Sequence, residues 1–166
     1  ELVIKDLYQR IDKENFDKIY FFDDNSTDNS YEIAKRFDWF VVKNKTNLGH
    51  GGNLKKAVET AFLDGADYVL EIHADNQYNP NLITKAKDLI DQDYALITGS
   101  RFINKNPHKE EGMPFLRYFS NIVMSNFTRK ILSIELTEFH TGFKIFGRSF
   151  YNKIPFENCS NNYLFS

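Results

Sequence analysis

The stretch "EIHADNQYNP", residues 71–80, closes an apolar run, "DYVL", with a His, an Asp, an amide and a Pro. His73, Asp75 and Gln77 stand two apart, so an extended backbone points all three side chains to one side. An imidazole, a carboxylate and an amide oxygen converging at a strand edge can hold a divalent cation and leave positions for a ligand. The same letters also read as a turn, with Asn76 and Asn79 as turn formers and Pro80 opening a helix. An H-x-D pattern alone leaves both readings open.

A second candidate is "DDNSTDNS", residues 23–30. Helix capping explains Asn29 and Asp28. It does not explain Asp23 and Asp24 in tandem after a hydrophobic strand, where their repulsion calls for a donor-rich partner such as a base or ribose. "NLGHGGN", residues 47–53, puts three glycines before a helix, but a dinucleotide fingerprint would need Gly where Leu54 stands, and there is no P-loop. The glycines serve a tight turn or a close approach to a ligand. Arg101 and Arg117 could form a phosphate clamp, and each alone also reads as a surface ion pair. His50, His108 and His140 lack metal-ligand spacing and read as ordinary loop or core residues. With no paired Ser or Cys nucleophile, a hydrolase triad is not supported.

These groups need elements to position them. "ELVIKDLYQRI" places Leu2, Val3, Leu7 and Ile11 near helical spacing, so the chain opens in an amphipathic helix. "DKIYFF" reads as a buried strand, and Asn29 with Glu32 caps the helix "SYEIAKRF". "WFVVK" is a strand, "NLKKAVETAFLDG" a helix closed by Gly65, and "DYVLEIH" a third strand. Pro80 opens a helix through "NLITKAKDLI", and "YALITGS" is a further strand before a polar stretch at 104–112. A helical pattern then starts at Pro114, "HTGFKIF" is a strand, and "GRSFYNKI" adds a short helix. The alternation predicts an α/β fold with a mostly parallel sheet and helices on both faces. In such sheets ligands gather outside the carboxyl ends of the strands, where Asp23, Asp24, His73, Asp75, Gln77 and Arg101 fall.

The 166 residues are 42% hydrophobic, enough for one domain with a sizeable core. Twenty-one basic and 23 acidic residues nearly cancel, so no global field argues for nucleic acid or anionic lipid. A single cysteine, Cys159, excludes an internal disulfide and suits a reducing compartment, as a partly buried thiol. No apolar run approaches the roughly 18 residues that span a bilayer, so the chain reads as soluble. No stretch shows the basic amphipathic character of a membrane-surface helix. An alternating α/β chain normally begins with a strand, and here that strand is missing, so 1–166 reads as one catalytic domain truncated at both ends.

Taken in order, the segments "DDNSTDNS", "NLGHGGNLKKAVETA", "HADNQYNP", "GSRF", "GMPFLRYFSN" and "EFHTGFKIF" resemble the family 2 glycosyltransferases with the GT-A (Rossmann-like) fold. The branch is the one that includes dolichol-phosphate mannosyltransferase and bacterial polyprenyl-phosphate or cell-wall glycosyltransferases. The resemblance implies that Asp23 and Asp24, with Ser26 and Gly49, bind a nucleotide-sugar donor, UDP- or GDP-linked. It implies that Asp75 and Gln77, with His73 where the mannosyltransferase pattern has Asp, hold Mn2+ or Mg2+ on the diphosphate as a DXD-like site. A nitrogen ligand there would tilt preference toward manganese. Arg101 and Arg117 would face the acceptor phosphate or donor diphosphate, with Ser120, Asn121 and Thr141 on the acceptor side. Glu138 would take an acceptor-side role, as base if the acceptor is a sugar hydroxyl.

The implied reaction is an inverting transfer to a polyprenyl phosphate or glycan, as in polysaccharide or cell-wall biogenesis. It would occur in the cytoplasm or at the cytoplasmic face of a membrane with peripheral association. Two alternatives are a non-catalytic nucleotide-sugar binding module in which His73 marks a decayed metal site, and a nucleotidyltransferase. The latter should carry a Gly-rich signature with basic residues after its first strand, which this sequence does not show.

Overall fold

The computed structural model describes residues 2–73, 78–103, 107–110, 112–134, 136–139 and 141–162. They fall into two compact units, one of residues 1–97 with 142–166 and one of Thr98–Thr141.

The first unit begins with helix α1, Leu2–Arg10, followed by strand β1, Tyr20–Asp23, and helix α2, Ser30–Ala34. Strand β2, Phe40–Lys43, pairs parallel with β1, with Tyr20 opposite Phe40 and Asp23 opposite Lys43. Ile4, Ile33, Ala34 and Trp39 form the buried centre under this pair, and Tyr8 and Phe37 stack at 4.0 Å beside it. Aromatic and β-branched residues on short strands suit such a half-buried pleat. The helix at α2 is shorter than its apolar spacing predicts. Asn29 sits at its N-cap but its side chain makes no capping bond, and Asp28 Oδ1 accepts the Ser30 N–H at 3.0 Å.

Helix α3, His50–Leu63, packs on both β1 and strand β3, Tyr68–Ile72. It starts three residues earlier than its apolar periodicity indicates, which draws Gly51 and Gly52 into its first turn. Gly65, at φ +101°, ends the turn that follows it, a backbone state only Gly reaches without strain. A 3-10 turn at Pro80–Leu82, capped by Asn79, leads into α4, Ile83–Asp91, and then β4, Leu96–Thr98.

The parallel rhythm breaks at strand β5, Phe143–Gly147. It inserts between β3 and β4 and runs antiparallel to β3, with Glu71 opposite Lys144. All five of its residues are buried, and Ile145 is fully so, which makes β5 the central strand of this sheet. Helix α7, Arg148–Lys153, closes the unit over Phe62, Phe146 and Phe156. The architecture is mixed α/β, with one parallel and one partly antiparallel sheet, and is consistent with a GT-A-like fold.

The second unit holds a short helix α5, Pro107–Glu110, inside the stretch that reads as merely polar, and the 18-residue helix α6, Phe115–Leu132. Pro114 stands at the N-cap of α6, and Ser133 in the left-handed region ends it.

Candidate active site

The ends of β1 and β2 and the start of α3 share one polar network. Asp23 is 3% exposed; its Oδ2 accepts the Ser26 N–H at 3.1 Å and lies 3.7 Å from Lys43 Nζ. Asp24 Oδ1 accepts from Asn44 Nδ2 at 2.9 Å and from the Leu48 N–H at 2.8 Å. Buried Asn44 in turn donates to Asn53 and accepts from Lys56 Nζ at 2.7 Å. The tandem carboxylates therefore find their donors inside the chain, and their repulsion does not require a ligand. Both bonds to Asp24 fall on Oδ1.

The glycine run makes a close approach, but to the chain's own backbone. Gly49, at φ +77°, would bring a Cβ within 2.7 Å of the Asn161 carbonyl oxygen, and Gly51 within 2.5 Å of that of Asn162. Gly52 donates its N–H to Asn161 O at 3.1 Å, and Lys55 Nζ donates to Cys159 O at 2.6 Å. Segment 159–162 is thus seated on the start of α3.

At the end of β3 the structure assembles a group that sequence spacing does not reveal. His50, from the first turn of α3, meets His73 edge to face at 5.0 Å between ring centres. His73 Nε2 lies 3.3 Å from Glu71 Oε1, and ligand atoms of His50, Glu71 and His73 all fall within 4.8 Å of one another. His50 is therefore not an ordinary loop residue. Gly142 packs close to the His73 ring, where a Cβ would come within 2.9 Å of Nδ1 and 2.8 Å of Tyr78.

Glu71 is buried, and neither carboxylate oxygen accepts a hydrogen bond among the described residues. Its cross-strand partner Lys144 is also buried, with Nζ 3.9 Å away and no hydrogen bond of its own among the described residues. Burial, opposed by the Glu71 charge, pulls the Lys144 ammonium below its ordinary pKa. Burial first, and then the His73 charge, pull His50 down as well, which favours the neutral imidazole that binds metals. Two imidazoles beside a buried carboxylate with unsatisfied lone pairs fit a divalent cation of the manganese or zinc type, with Lys144 as competitor for the carboxylate. Asp75, Gln77 and His140 lie outside the described residues.

In the second unit, Glu138 is 2% exposed and its carboxylate is committed to Arg101. Oε2 accepts the Arg101 backbone N–H at 2.8 Å, Oε1 accepts Nε at 3.0 Å, and Nη2 contacts the same oxygen. Such a fork holds the guanidinium plane in place. Thr137 donates to Ser100 at 2.7 Å beside it. Arg117 and Ser120 are exposed on α6, Asn121 is half-buried, and Thr141 is buried.

The chain is 27% identical over 167 aligned positions to a UDP-N-acetylglucosamine–dolichyl-phosphate N-acetylglucosaminyltransferase of Methanococcus voltae, an alignment covering 90% of this chain and 66% of the relative. It is also 27% identical over 164 positions to an uncharacterized protein of Methanocaldococcus jannaschii, covering 98% of this chain and 67% of the relative. The chain thus spans about two thirds of the length of the curated relatives it matches. The model of the glycosyl transferase family 2 matches residues 2–155, nearly the whole sequence, and the chain belongs to that family.

Proposed function

We propose that the protein transfers a sugar from a nucleoside-diphosphate sugar to a polyprenyl phosphate. The observation that carries this reading is the family match over residues 2–155, and the dolichyl-phosphate relative supports the acceptor class. In the reaction an acceptor oxygen forms a bond to the anomeric carbon while the bond from that carbon to the diphosphate oxygen breaks. The electron pair leaves with the nucleoside diphosphate, so negative charge grows on its β-phosphate.

Asp24 Oδ2 is the atom left to accept from a base or ribose, and the Asn44–Asn53–Lys56 network holds that side chain in place. Asp23 acts at one remove, by fixing the Ser26 loop. A divalent cation would be held by His73 with Asp75 and Gln77, with Glu71 and His50 as further donors, and would supply charge neutralisation at the leaving diphosphate. Arg101 and Arg117 would bind phosphate oxygens. Glu138 presents Arg101 in a fixed plane and has its lone pairs engaged, which makes it a positioning residue rather than a general base. An acceptor that is already an anion needs no such base, which favours a lipid phosphate over a sugar hydroxyl.

The test supplies UDP- and GDP-sugars with a short polyprenyl phosphate and Mn2+ or Mg2+, and follows both nucleoside diphosphate release and sugar in the lipid fraction. Matched appearance of the two products, lost in Asp75→Ala, is the expected result. Donor binding without release of nucleoside diphosphate would refute transfer and leave a binding module.

A further inference from the structure

Helix α3 carries a strap along one of its sides. Gly49, Gly52, Lys55, Val58 and Phe62 follow one another at intervals of three or four residues, so they line one face of the helix. Phe156 shares a buried cluster with Val58 and Phe62 at the far end of that face. From there the chain runs back toward the helix start. Lys55 Nζ donates to Cys159 O at 2.6 Å, and the Gly52 N–H donates to Asn161 O at 3.1 Å. A Cβ at Gly49 would stand 2.7 Å from that same Asn161 oxygen, and one at Gly51 would stand 2.5 Å from the Asn162 oxygen and 2.7 Å from that of Ser160. Only glycine at these positions lets the strap lie so close. Inside a helix each glycine costs about 1 kcal/mol against alanine, and the strap contact is what offsets the pair in the first turn of α3.

The contact is with backbone carbonyls, and this decides what the glycines do. A helix start leaves N–H donors open, which makes it a place for a phosphate. Here the Gly52 N–H is taken by Asn161, and the oxygens of Ser160, Asn161 and Asn162 gather beside Gly49 and Gly51, where they would repel a diphosphate. The glycine turn is therefore no phosphate cradle.

What the turn holds lies on either side of the strap contact. Just before Gly49, the Leu48 N–H donates to Asp24 Oδ1 at 2.8 Å; just after it, His50 meets His73 at 5.0 Å between ring centres. The Gly49 N–H itself donates to Asn47 Oδ1 at 2.9 Å, which closes the turn. Next to Gly52, Asn53 accepts from Asn44, the second donor to Asp24. A shift of the backbone at 49–52 would move the partners of Asp24 and the ring of His50 together.

We infer that segment 159–162 is a positioning strap for the donor site: its carbonyls on Gly49, Gly51 and Gly52 fix the turn 47–50, and the turn keeps the Leu48 N–H on Asp24 and His50 beside His73. The donor role rests on the transfer reading proposed above; the hold on the turn does not.

Two variants unseat the strap. Gly51→Ala intrudes on it, and Lys55→Met removes the bond to Cys159 O without adding bulk at the glycines. Gly65→Ala, beyond the other end of α3 with nothing within 4 Å, controls for lost stability alone. Hydrogen exchange of the full chain, with no ligand present, is expected to speed about tenfold or more at the Leu48 and Gly49 amides in both strap variants and to match wild type there in Gly65→Ala. Titration with UDP and GDP in the presence of Mn2+ is expected to give a dissociation constant about tenfold higher in the strap variants, the size of one lost hydrogen bond to a charged group. Donor KM should rise by the same factor while kcat stays within about twofold of wild type. Should Gly51→Ala fail to fold, Lys55→Met carries both measurements. Unchanged exchange at Leu48 and Gly49, or equal speeding in Gly65→Ala, would overturn the hold on the turn. Faster exchange with wild-type affinity and KM would overturn the role at the donor site. A wild-type chain that binds neither nucleotide would refute the transfer reading, and the exchange rates would still decide whether the strap fixes the turn.

Discussion

His50 lies 23 residues before His73 in the chain, and only the packing of α3 against β3 makes them neighbours. The pKa of His50 is held below 6.5 by burial, so between its folded value and 6.5 the unfolded chain binds more protons than the folded one. Stability is then unaffected by this group above pH 6.5 and is lost as the pH falls from 6.5 through the folded value. Denaturant melts at successive pH values should show this loss, and His50→Gln should flatten that part of the profile. Equal slopes in both proteins would mean that His50 is as solvated folded as unfolded.

Element boundaries show what local sequence can and cannot carry. Pro80, Pro114 and Gly65 mark starts and stops because their backbone constraints are local, and α1, β2, β3, α4, α6, β5 and α7 fall close to where periodicity puts them. The antiparallel placement of β5 between β3 and β4 is a pairing choice among distant segments, which no local pattern encodes. For the same reason the tandem Asp23–Asp24 called for an external donor until Asn44 and Leu48 came into place. The exposed apolar side of α6 is not legible in the sequence either, because apolar residues at helical spacing look the same whether they are covered or not.

The glycines of α3 and its end separate two costs at this scale. A methyl at Gly51 meets carbonyl oxygens of Asn162 at 2.5 Å and Ser160 at 2.7 Å, whereas Gly65 has nothing within 4 Å and only its φ of +101° to lose. Gly65→Ala should therefore cost about 1 kcal/mol from backbone strain. Gly51→Ala should cost about 1–3 kcal/mol and loosen segment 159–162, read as faster proteolytic trimming of the C-terminal residues. Equal trimming rates in the two variants would show that the segment does not depend on this contact.

At the scale of the whole molecule, stability and the proposed metal site are linked through the same strands. Glu71 and Lys144 join β3 to β5, the buried centre of the larger sheet, and His50 ties α3 to the same spot. A buried carboxylate facing an ammonium 3.9 Å away is an incomplete pair, since neither group regains in contacts what it lost in hydration. A ligand that binds only the folded state stabilises it by mass action, by about 2.7 kcal/mol at a hundredfold excess over its dissociation constant. Mn2+ should therefore raise the melting temperature of the chain, and a chelator should reverse the rise. Glu71→Gln and His50→Gln should each blunt the rise, beyond any change in the metal-free melting point, because each removes a donor from the cluster. A rise that survives in both variants and vanishes in Asp75→Ala would place the ion on the H-x-D segment alone, and would leave Glu71 and Lys144 as a structural pair.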